Sequence, residues 1–583
     1  MKRVSIERRA VASDQLPIFS EVPHALARIY AARGIQSQAE LGRNLNELLP
    51  DTSLKGMGDA VERLSRAVTT GESMLVVGDF DCDGATSTTV AVLGLRMMGA
   101  KQVDYLVPNR FEYGYGLSPE IVDVAHTQSP SLLITVDNGI SSVEGVARAR
   151  VLGMDVVVTD HHLAGDEIPA AAAIVNPNQP GCDFPAKSTC GVGVIFYVLI
   201  ALRRQLQQQG WFEQQGLAMP NLASLLDLVA LGTVADVVAL EHNNRVLVHQ
   251  GLKRIRAGQA RPGLLALIEI SGRQKERLVA SDLGFAIAPR LNAAGRLEDM
   301  SIGIECLLSD DPEYARELAQ SLDQLNLARR GIEQEMQQQA LQLLDQISLD
   351  EDQLPYGLCL YDEAWHQGVV GILASRIKER THRPVIAFAQ GDSGEIKGSA
   401  RSIPGLHIRD ALATINARQP GLISKFGGHA MAAGLTLYPG TLDRFKLAFD
   451  KAVREQLTAD DLDQCIETDG ELTASEMCLE LAEGLREAGP WGHHFPEPLF
   501  DGCFSVLQQR IVGHRHLKLV LMDPSTGSSV DAIHFNADME CWPDQAIVSV
   551  RAVYKLDVNE FRGQRSVQLM VDYLEPLERT GDE

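Results

Sequence analysis

The sequence lacks any apolar run long enough to cross a membrane. Its longest apolar stretch, from Gly191 to Leu202, falls short of the roughly 20 residues that a spanning helix needs. The start, MKRVSIERRA, has basic residues but no apolar stretch behind them, so we do not expect a secretory signal. We therefore expect a protein without a membrane anchor that works in the cytoplasm.

Paired cysteines are also absent. The nine cysteines include no CxxC pair, and an odd number argues against a disulfide framework or a structural zinc site. Cys182 and Cys190 are conceivable metal ligands, but we interpret them as plain thiols.

Basic residues are fewer than acidic ones, which gives a formal net charge of −24. A nucleic-acid-binding protein needs Lys and Arg where the strand lies. Net charge is nevertheless a weak argument, since an enzyme that gathers carboxylates around metal ions can be acidic overall and still present a local basic channel.

Alternating strand and helix patterns begin near residue 73 and predict an α/β domain with a parallel sheet and helices on both faces. The predicted strands are Met74–Val77, Val103–Val107, Leu132–Val136 and Asp155–Thr159, and the predicted helices are Ser87–Met98, Pro119–Thr127 and Val143–Leu152.

The rest of the chain divides by pattern, and its 583 residues exceed what one core usually supports. Apolar residues at helical spacing predict a long connector helix over Asp311 to Ser348. Pro355 to Gln456 is typical of a second α/β unit, and Asp501 to Pro576 indicates a small β-barrel. The predicted domains are a helical lead-in (1–70), a catalytic domain (71–305), the connector (306–350), the second α/β domain (351–456) and the barrel domain (457–583).

Acidic and imidazole groups follow three of the predicted strands. They are Asp79, Asp81 and Asp83 in GDFDCDG, Asp137 in VDNG, and Asp160, His161 and His162. Ligands of an open parallel sheet bind beyond the carboxyl ends of its strands, so we expect these groups at one rim. Acids packed together repel one another unless a divalent cation binds, and oxygen ligands with imidazole favour Mn²⁺ or Mg²⁺. Helix capping or turn formation explains any single acid, but it does not explain acids at successive strand ends.

These motifs carry a family resemblance. DFDCDG, VDNG, DHH at 160–162 and GTVADV at 232–237, in this order, resemble the DHH phosphoesterase superfamily, and the later motifs are similar to those of its bacterial single-strand-specific DNA exonucleases. The resemblance implies a catalytic site with two Mn²⁺ or Mg²⁺ ions. One ion would be bound by Asp81 with help from Asp79, the other by Asp83, His161 and Asp236, while Asp137 bridges them, Asp160 orients the histidines and His162 lies near the scissile phosphate.

The same resemblance implies hydrolysis of single-stranded DNA from its 5′ end, with release of 5′-mononucleotides, in DNA recombination and repair. Implied partners are single-strand-binding protein, a helicase and mismatch-repair proteins. Two other hypotheses stay open: a phosphodiesterase for small substrates on the same metal core, and a non-catalytic strand-binding scaffold. The first predicts a shorter chain, and the second predicts lost ligands.

Several further segments are candidates for substrate binding. Arginine with aromatic residues suits single strands, adjacent glycines expose backbone N–H groups to an anion, and a barrel with basic groups resembles an OB-fold. The second α/β unit resembles the DHHA1 domain of the superfamily, in which these groups would hold phosphate. The candidates are Arg110, Tyr113 and Tyr115 in PNRFEYGYG; Arg290, Asn292 and Arg296 in APRLNAAGRL; Ser399 and Arg401 in KGSARS; Gly427, Gly428 and His429 in FGGHAMAAG; and Arg510, Arg515, Lys518, Arg551, Lys555, Arg562 and Arg565 of the barrel. A structural arginine or a solvated surface is the alternative for each.

Overall fold

A computed structural model gives the structure of the chain. It describes residues 4–10, 19, 22–109, 113, 116–346, 354–391, 394–539, 541–561 and 563–579. The chain divides into two compact units. The larger unit comprises Arg8–Gly295, Asp299–Asp323 and Glu467–Glu583, and the smaller comprises Met1–Glu7, Arg296–Glu298 and Gln324–Ile466. Across the described residues, no helix combines the length and apolar character needed to span a bilayer.

The N-terminal segment is only partly helical. It contains strand β1 (Val4–Arg8) followed by helices α1 (His24–Ala32) and α2 (Met57–Thr70). β1 pairs with the strand Gln464–Thr468, which lies near the other end of the chain. The predicted helical lead-in missed this strand because its partner is too distant in sequence for a local pattern to reveal it.

A five-stranded parallel sheet forms the centre of the larger unit, in the order β3-β2-β4-β5-β6. Apolar residues without polar alternation are typical of strands covered on both faces, and every residue of β2 and β4 is buried. The parallel α/β prediction is confirmed, and the strands that precede the acidic motifs are the adjacent β2, β4 and β5. The strands are β2 (Met74–Val77), β3 (Val103–Leu106), β4 (Leu132–Val136), β5 (Asp155–Thr159) and β6 (Ala173–Val175).

Helix α3 (Cys82–Met97) begins five positions before the predicted start at Ser87. The carboxylate of Asp81 accepts a hydrogen bond of 2.9 Å from the backbone N–H of Gly84 and so caps the helix. The predicted start of this helix at Ser87 is therefore too late. Asp83 belongs to the first turn of α3.

Further helices of the larger unit precede the connector in the chain. They are α4 (Pro119–His126), α5 (Val143–Val151), α6 (Gly191–Gln208), α7 (Trp211–Gln215), α8 (Leu226–Ala235), α9 (His242–Arg256), α10 (Pro262–Ile270), α11 (Ala280–Asp282), α12 (Ala288–Leu297) and α13 (Ser301–Leu308). The predicted connector is α14 (Pro312–Gln346). Residues 347 and 348 of that prediction lie outside the described residues.

The smaller unit contains the predicted second α/β fold. Its sheet has the order β10-β11-β9-β8-β7, in which β7 and β8 are parallel and the other pairs antiparallel. The elements are β7 (Leu358–Asp362), α15 (Val370–Thr381), β8 (Val385–Gln390), β9 (Ile396–Arg401), α16 (Ile408–Arg418), β10 (Ile423–Gly428), β11 (Ala432–Leu437) and α17 (Leu442–Arg454).

The last part of the chain forms the predicted barrel. Five strands close in the order β13-β14-β15-β17-β16, and alternate residues of β14 are buried, as a barrel requires. The elements are β12 (Gln464–Thr468), α18 (Leu479–Ala488), β13 (Phe500–Val512), β14 (His516–Met522), β15 (Ser529–His534), β16 (Ile547–Phe561) and β17 (Gln564–Arg579).

Candidate metal centre

Asp79 and Asp81 occupy the loop between β2 and α3, at the carboxyl end of the sheet. Asp79 is buried, and its Oδ1 accepts a hydrogen bond of 2.8 Å from the backbone N–H of Phe80. A Cβ on Gly84 would lie 2.5 Å from the Asp79 carbonyl oxygen. Glycine at position 84 is therefore required for the loop to fold this tightly over the start of α3.

Asp137 lies at the end of β4 in a left-handed backbone conformation, with φ of 60°. Asp adopts this conformation more readily than most residues. Its backbone N–H donates to the Thr159 carbonyl at 3.1 Å, and its side chain is 2% exposed. A Cβ on Gly191 would lie 2.6 Å from the Asp137 Cβ. The carboxylate is thus enclosed by the start of α6.

The DHH residues follow β5, and Asp160 organises them. Its Oδ1 accepts hydrogen bonds from the backbone N–H of His161 at 2.7 Å and from Nδ1 of His162 at 2.7 Å. Its Oδ2 accepts from the Ile140 N–H at 2.9 Å. Burial acts to raise the pKa of Asp160, but the His162 hydrogen bond and charge lower the pKa below its usual value. Asp160 therefore orients the His162 imidazole directly and fixes the backbone that carries His161.

Asp236 reaches the site from the end of α8. Its Oδ2 lies 3.6 Å from Nε2 of His161, and the same nitrogen lies 3.1 Å from Oδ1 of Asp137. A Cβ on Gly232, one turn earlier in α8, would lie 2.8 Å from Oδ1 of Asp83. Small residues at the contact between α8 and α3 therefore let the carboxylates approach.

The carboxylate of Asp83, in the first turn of α3, contacts the N-terminus of α6. Its Oδ2 accepts from the Gly191 N–H at 2.7 Å, and its Oδ1 accepts from the Val192 N–H at 2.9 Å. Backbone N–H groups at a helix N-terminus favour negative charge. Burial and the charge of Asp81 outweigh that effect and raise the pKa of Asp83 to about 7.

The side chains form three groups whose ligand atoms lie within 4.8 Å of one another. The groups are Asp79 with Asp81 and Asp137, Asp83 with His161 and Asp236, and Asp137 with His161 and His162. The structure thus brings together every predicted metal ligand. Which ion each residue binds stays a prediction.

The electrostatics of the cluster fit a divalent cation. Burial, followed by the charges of neighbouring aspartates, raises the pKa of Asp137 and of Asp236 well above the usual value. Carboxylates in this condition are unstable as anions unless positive charge is added. A donor set of carboxylate oxygens with imidazole nitrogen suits Mn²⁺ and Mg²⁺.

Three asparagines that the sequence reasoning missed support the cluster. Asn138 donates to the carbonyls of Val77 at 3.1 Å and Val136 at 2.9 Å, which ties the ends of β2 and β4 together. Asn176 donates to the His162 carbonyl at 2.9 Å, and Asn178 donates to the His161 carbonyl at 2.6 Å. The signal was available in the NPN sequence directly after β6, at the same edge of the sheet.

Of the predicted substrate-binding residues in the larger unit, some lie outside the described residues and others contact groups of the protein itself. Arg110 and Tyr115 lie outside the described residues, and Tyr113 is 37% exposed. Arg290 pairs through Nε with Oδ1 of Asp323 at 2.9 Å. Asn292 accepts through Oδ1 from the Cys82 N–H at 2.8 Å, so it supports the start of α3. DNA contact by these residues stays a prediction.

Ser399 and Arg401 form a half-buried basic site in the smaller unit. Nη1 of Arg401 donates to the Ser399 hydroxyl at 3.0 Å and to the Ala400 carbonyl at 2.8 Å. A Cβ on Gly371, in the first turn of α15, would lie 3.0 Å from Nη2 of Arg401. Burial lowers the pKa of Arg401, and across the described residues no carboxylate forms an ion pair with it. The site is therefore suited to an anion.

The remaining candidates of the smaller unit have structural roles of their own. Arg296 donates through Nη1 to the Gly368 carbonyl at 3.1 Å. Gly427 and Gly428 are exposed at the end of β10, and Gly428 has φ of 141°. The His429 N–H donates to the Ala432 carbonyl at 2.8 Å, which closes the turn into β11. These contacts explain the residues locally and leave their proposed contact with substrate as a prediction.

The structure gives the cysteines no bonded partner cysteine, and it places several basic residues of the barrel in ion pairs. All nine cysteines are free thiols, and burial raises the pKa of Cys82 and Cys190 well above the usual value. In the barrel, four of the predicted basic residues are in ion pairs: Lys518 with Asp531, Arg551 with Asp501, Lys555 with Glu497 and Arg565 with Glu483. The positive charges of these four side chains are therefore partly neutralised by carboxylates of the protein.

The fold and the acidic rim define a class of protein. Residues 73–233 match the model of the DHH family, N-terminal domain, residues 355–455 match the DHHA1 domain, and residues 468–573 match the RecJ OB domain. The chain is a DHH-type phosphoesterase with a DHHA1 domain and an OB-fold, as the motifs predicted.

Comparison with whole proteins narrows the class. The single-stranded-DNA-specific exonuclease RecJ of Escherichia coli is 54% identical over 576 residues, which cover 99% of this chain and all of the relative. Crystal structures of RecJ from Thermus thermophilus in complex with Mn²⁺ and with Mg²⁺ are 31% and 30% identical, with TM-scores of 0.79 and 0.73. Each covers 96% of this chain, and this chain covers 76% and 75% of the two respectively.

The chain belongs to the RecJ family of single-stranded-DNA-specific exonucleases. The predictions of a metal-dependent enzyme and of a Mn²⁺ or Mg²⁺ cofactor are confirmed by this membership together with the convergent acids.

Proposed function

We propose that the protein degrades single-stranded DNA from its 5′ end to 5′-mononucleotides with two divalent cations. The observation that carries the proposal is the convergence of Asp83, Asp137 and Asp236 with raised pKa values in one buried cluster. A cluster of this kind gains stability when two ions bind, and it lies at the sheet edge where substrates bind in parallel α/β folds.

The proposed ligand assignment follows two of the three groups of side chains. Asp79 and Asp81 would hold one ion, Asp83, His161 and Asp236 would hold the other, and Asp137 would contact both. When bound, two such ions lower the pKa of water and stabilise the charge on a phosphate undergoing displacement. Asp160 would act indirectly, since it orients the His162 imidazole and fixes the backbone of His161.

His162 supplies a proton donor at this site. Burial acts to lower its pKa, but the hydrogen bond and charge of Asp160 raise the pKa to about 9. The imidazole therefore carries a proton at neutral pH in the metal-free protein. With Nδ1 bound to Asp160, the Nε2–H can donate to an oxygen of the scissile phosphate or to the departing oxygen, as general acids do.

Ser399 and Arg401 are proposed to bind a phosphate of the DNA backbone. A half-buried guanidinium that forms no ion pair with a carboxylate of the described residues, and that lies beside the N-terminus of α15, favours an anion. Gly427, Gly428 and His429, together with Arg110, Tyr115, Arg290, Asn292 and Arg296, complete the proposed set of strand contacts.

The cellular role, the location and the partners of the protein are also proposals. We propose action in DNA recombination and repair in the cytoplasm, which agrees with nine free thiols. Single-strand-binding protein, a helicase and mismatch-repair proteins are the proposed partners. The domain boundaries 1–70, 71–305, 306–350, 351–456 and 457–583 belong to the same proposal.

Digestion of end-labelled oligonucleotides in Mn²⁺ tests the function. The parent protein should release labelled mononucleotide at once from a 5′-labelled single strand, but only late from a 3′-labelled one, and should leave blunt duplex intact. Asp137→Asn should abolish release, while Asp104→Asn, which changes an exposed acid on β3, should not. Mononucleotide released first from the 3′ label would overturn the polarity. Equal activity of the parent and Asp137→Asn would overturn the site, and activity on dinucleotides alone would favour the small-substrate hypothesis.

A further inference from the structure

The loop between β2 and α3 carries two of the proposed metal ligands, Asp79 and Asp81. Where the loop leaves β2, the Gly78 N–H donates to the Leu106 carbonyl at 3.0 Å. That hydrogen bond ties the start of the loop to β3. Residues 79–81 lie outside the strands, so the position of Asp81 depends on contacts with other parts of the chain.

Helix α12 contacts the far end of this loop through the side chain of Asn292. Its Oδ1 accepts a hydrogen bond of 2.8 Å from the Cys82 N–H. Cys82 is the first residue of α3, and the N–H groups in the first turn of a helix have no acceptor within the helix. Asn292 therefore supplies an acceptor that α3 itself cannot provide.

Gly295 brings the backbone of α12 against the same loop. A Cβ at this position would collide with the carbonyl oxygen of Phe80. Glycine inside a helix is less stable than alanine, and the close approach of two backbones accounts for it here. Positions 292 and 295 are three residues apart and therefore lie on one face of α12. That face touches the loop at Phe80 and at Cys82, the two neighbours of Asp81.

The carboxylate of Asp81 is fixed relative to the start of α3. Its Oδ1 accepts a hydrogen bond of 2.9 Å from the Gly84 N–H, and its ligand atom lies within 4.8 Å of those of Asp79 and Asp137. A shift of the backbone at Cys82 would therefore move the Asp81 carboxylate relative to the other two acids.

We propose that Asn292 is a positioning residue for the metal centre, which holds the Cys82 N–H through Oδ1 and so keeps the Asp81 carboxylate in place for an ion. This role differs from the contact with DNA proposed for Asn292 above. The inference rests on the proposed function, since it assumes that Asp81 binds an ion. Residues that orient a metal ligand change metal affinity when they are lost.

The test measures Mn²⁺ binding by calorimetry in Asn292→Ala and Asn292→Asp. Loss of one partly buried hydrogen bond should raise the Mn²⁺ Kd of the affected ion by about three- to tenfold in the alanine variant. Asn292→Asp keeps an acceptor oxygen at the same distance from the backbone and should restore the affinity. An unchanged Mn²⁺ Kd in Asn292→Ala overturns the inference. Weaker binding of single-stranded DNA without metal, at an unchanged Mn²⁺ Kd, would instead assign Asn292 to the strand.

Two control variants separate the hydrogen bond from charge and from general stability. Asn292→Glu has the charge of Asn292→Asp with its acceptor displaced by one methylene, so equal recovery in both would attribute the recovery to charge and overturn the inference. Asn243 is a buried asparagine whose Oδ1 likewise accepts from a backbone N–H, that of Leu49 at 3.0 Å. Asn243→Ala should lower the metal-free Tm at least as much as Asn292→Ala and leave the Mn²⁺ Kd unchanged. An equal rise of the Mn²⁺ Kd in Asn243→Ala would reduce the role of Asn292 to stability.

Asp81→Ala tests the underlying assumption. One ion should be lost, and adding Asn292→Ala should leave the Kd of the remaining ion unchanged, because the ligand that Asn292 positions is gone. Unchanged Mn²⁺ binding in Asp81→Ala overturns the ligand assignment. A lost ion in Asp81→Ala together with an unchanged Kd in Asn292→Ala overturns the positioning role alone.

Discussion

The larger unit gathers buried carboxylates, whereas the smaller unit holds a half-buried arginine. At the sheet edge of the larger unit, several carboxylates converge, and burial together with their mutual repulsion raises their pKa values. In the smaller unit, burial lowers the pKa of Arg401, and no carboxylate in the described residues forms an ion pair with it. Charge that is removed from water without a partner destabilises a fold.

The comparison indicates which ligand would neutralise each site. The acidic cluster would bind cations, and the basic site would bind an anion. A phosphodiester bound near divalent ions supplies negative charge, and the ions supply positive charge. The ion-paired basic residues of the barrel, such as Lys518 with Asp531, have no comparable need. We therefore expect the largest mutational effects in the acidic cluster and smaller ones at Arg401.

Removal of the bridging acid should have the largest effect. Asp137→Asn removes a ligand proposed to contact both ions, so kcat should fall by about a thousandfold or more. The Tm of the metal-free protein at pH 8 should rise, because a repelling carboxylate is gone. Single-turnover digestion and thermal unfolding measure the two effects. A large loss of activity with a lowered metal-free Tm would indicate general damage, not loss of a ligand.

Substitution of His162 should have the next largest effect. His162→Gln keeps a polar side chain but removes the proton donor, so kcat should fall by about a hundredfold, the usual scale of general-acid catalysis. Mn²⁺ affinity should change little if His162 serves the phosphate and not an ion. Calorimetry beside single-turnover rates checks this. A parallel loss of Mn²⁺ binding would reassign His162 as a ligand.

The pH should affect metal binding by about tenfold per unit. The folded pKa of Asp83 is about 7, against 3.8 for the ordinary carboxyl, so below pH 7 an ion must displace a proton. Mn²⁺ affinity should therefore rise with pH from pH 6 to pH 7 and continue to rise while Asp137 and Asp236, whose pKa values are also raised, lose their protons, as calorimetry in two buffers can show. Since the folded state binds the extra proton, the metal-free protein should also lose stability as pH rises from about 4 to 7.

Substitution of Arg401 should have the smallest of these effects. Arg401→Gln should weaken binding of single-stranded DNA by several-fold and reduce the slope of log Kd against log salt by about 0.7, the value for one phosphate contact on a single strand. Mn²⁺ affinity should be unchanged. Arg409→Gln, an exposed arginine of α16, is the matched control. Equal salt slopes for the two variants would remove the phosphate role of Arg401.

The metal-binding residues that could be predicted from the sequence are those that directly follow a strand. Asp79, Asp81, Asp137 and His161 follow strands whose apolar runs are legible locally, and parallel strands bring their ends to one edge. Asp236 was identified through the motif resemblance alone, because it lies at the end of a helix whose packing on α3 no local pattern encodes.

Long-range contacts account for what the sequence could not predict. The strand β1 pairs with a strand near the other end of the chain, and the early start of α3 depends on a cap at Asp81. The hydrogen bond from the Leu240 N–H to the His493 carbonyl joins segments that are far apart in sequence. Local propensity carries no information on such pairings, because tertiary packing decides them.

The most direct test of the account is the number of Mn²⁺ ions that the metal-free protein binds at pH 8. Calorimetry with parallel electron paramagnetic resonance should give two ions per chain, with spin coupling between them, and Asp137→Asn should reduce both affinities. Binding of a single uncoupled ion, or uptake unchanged by Asp137→Asn, would contradict the two-ion site on which the proposed chemistry depends.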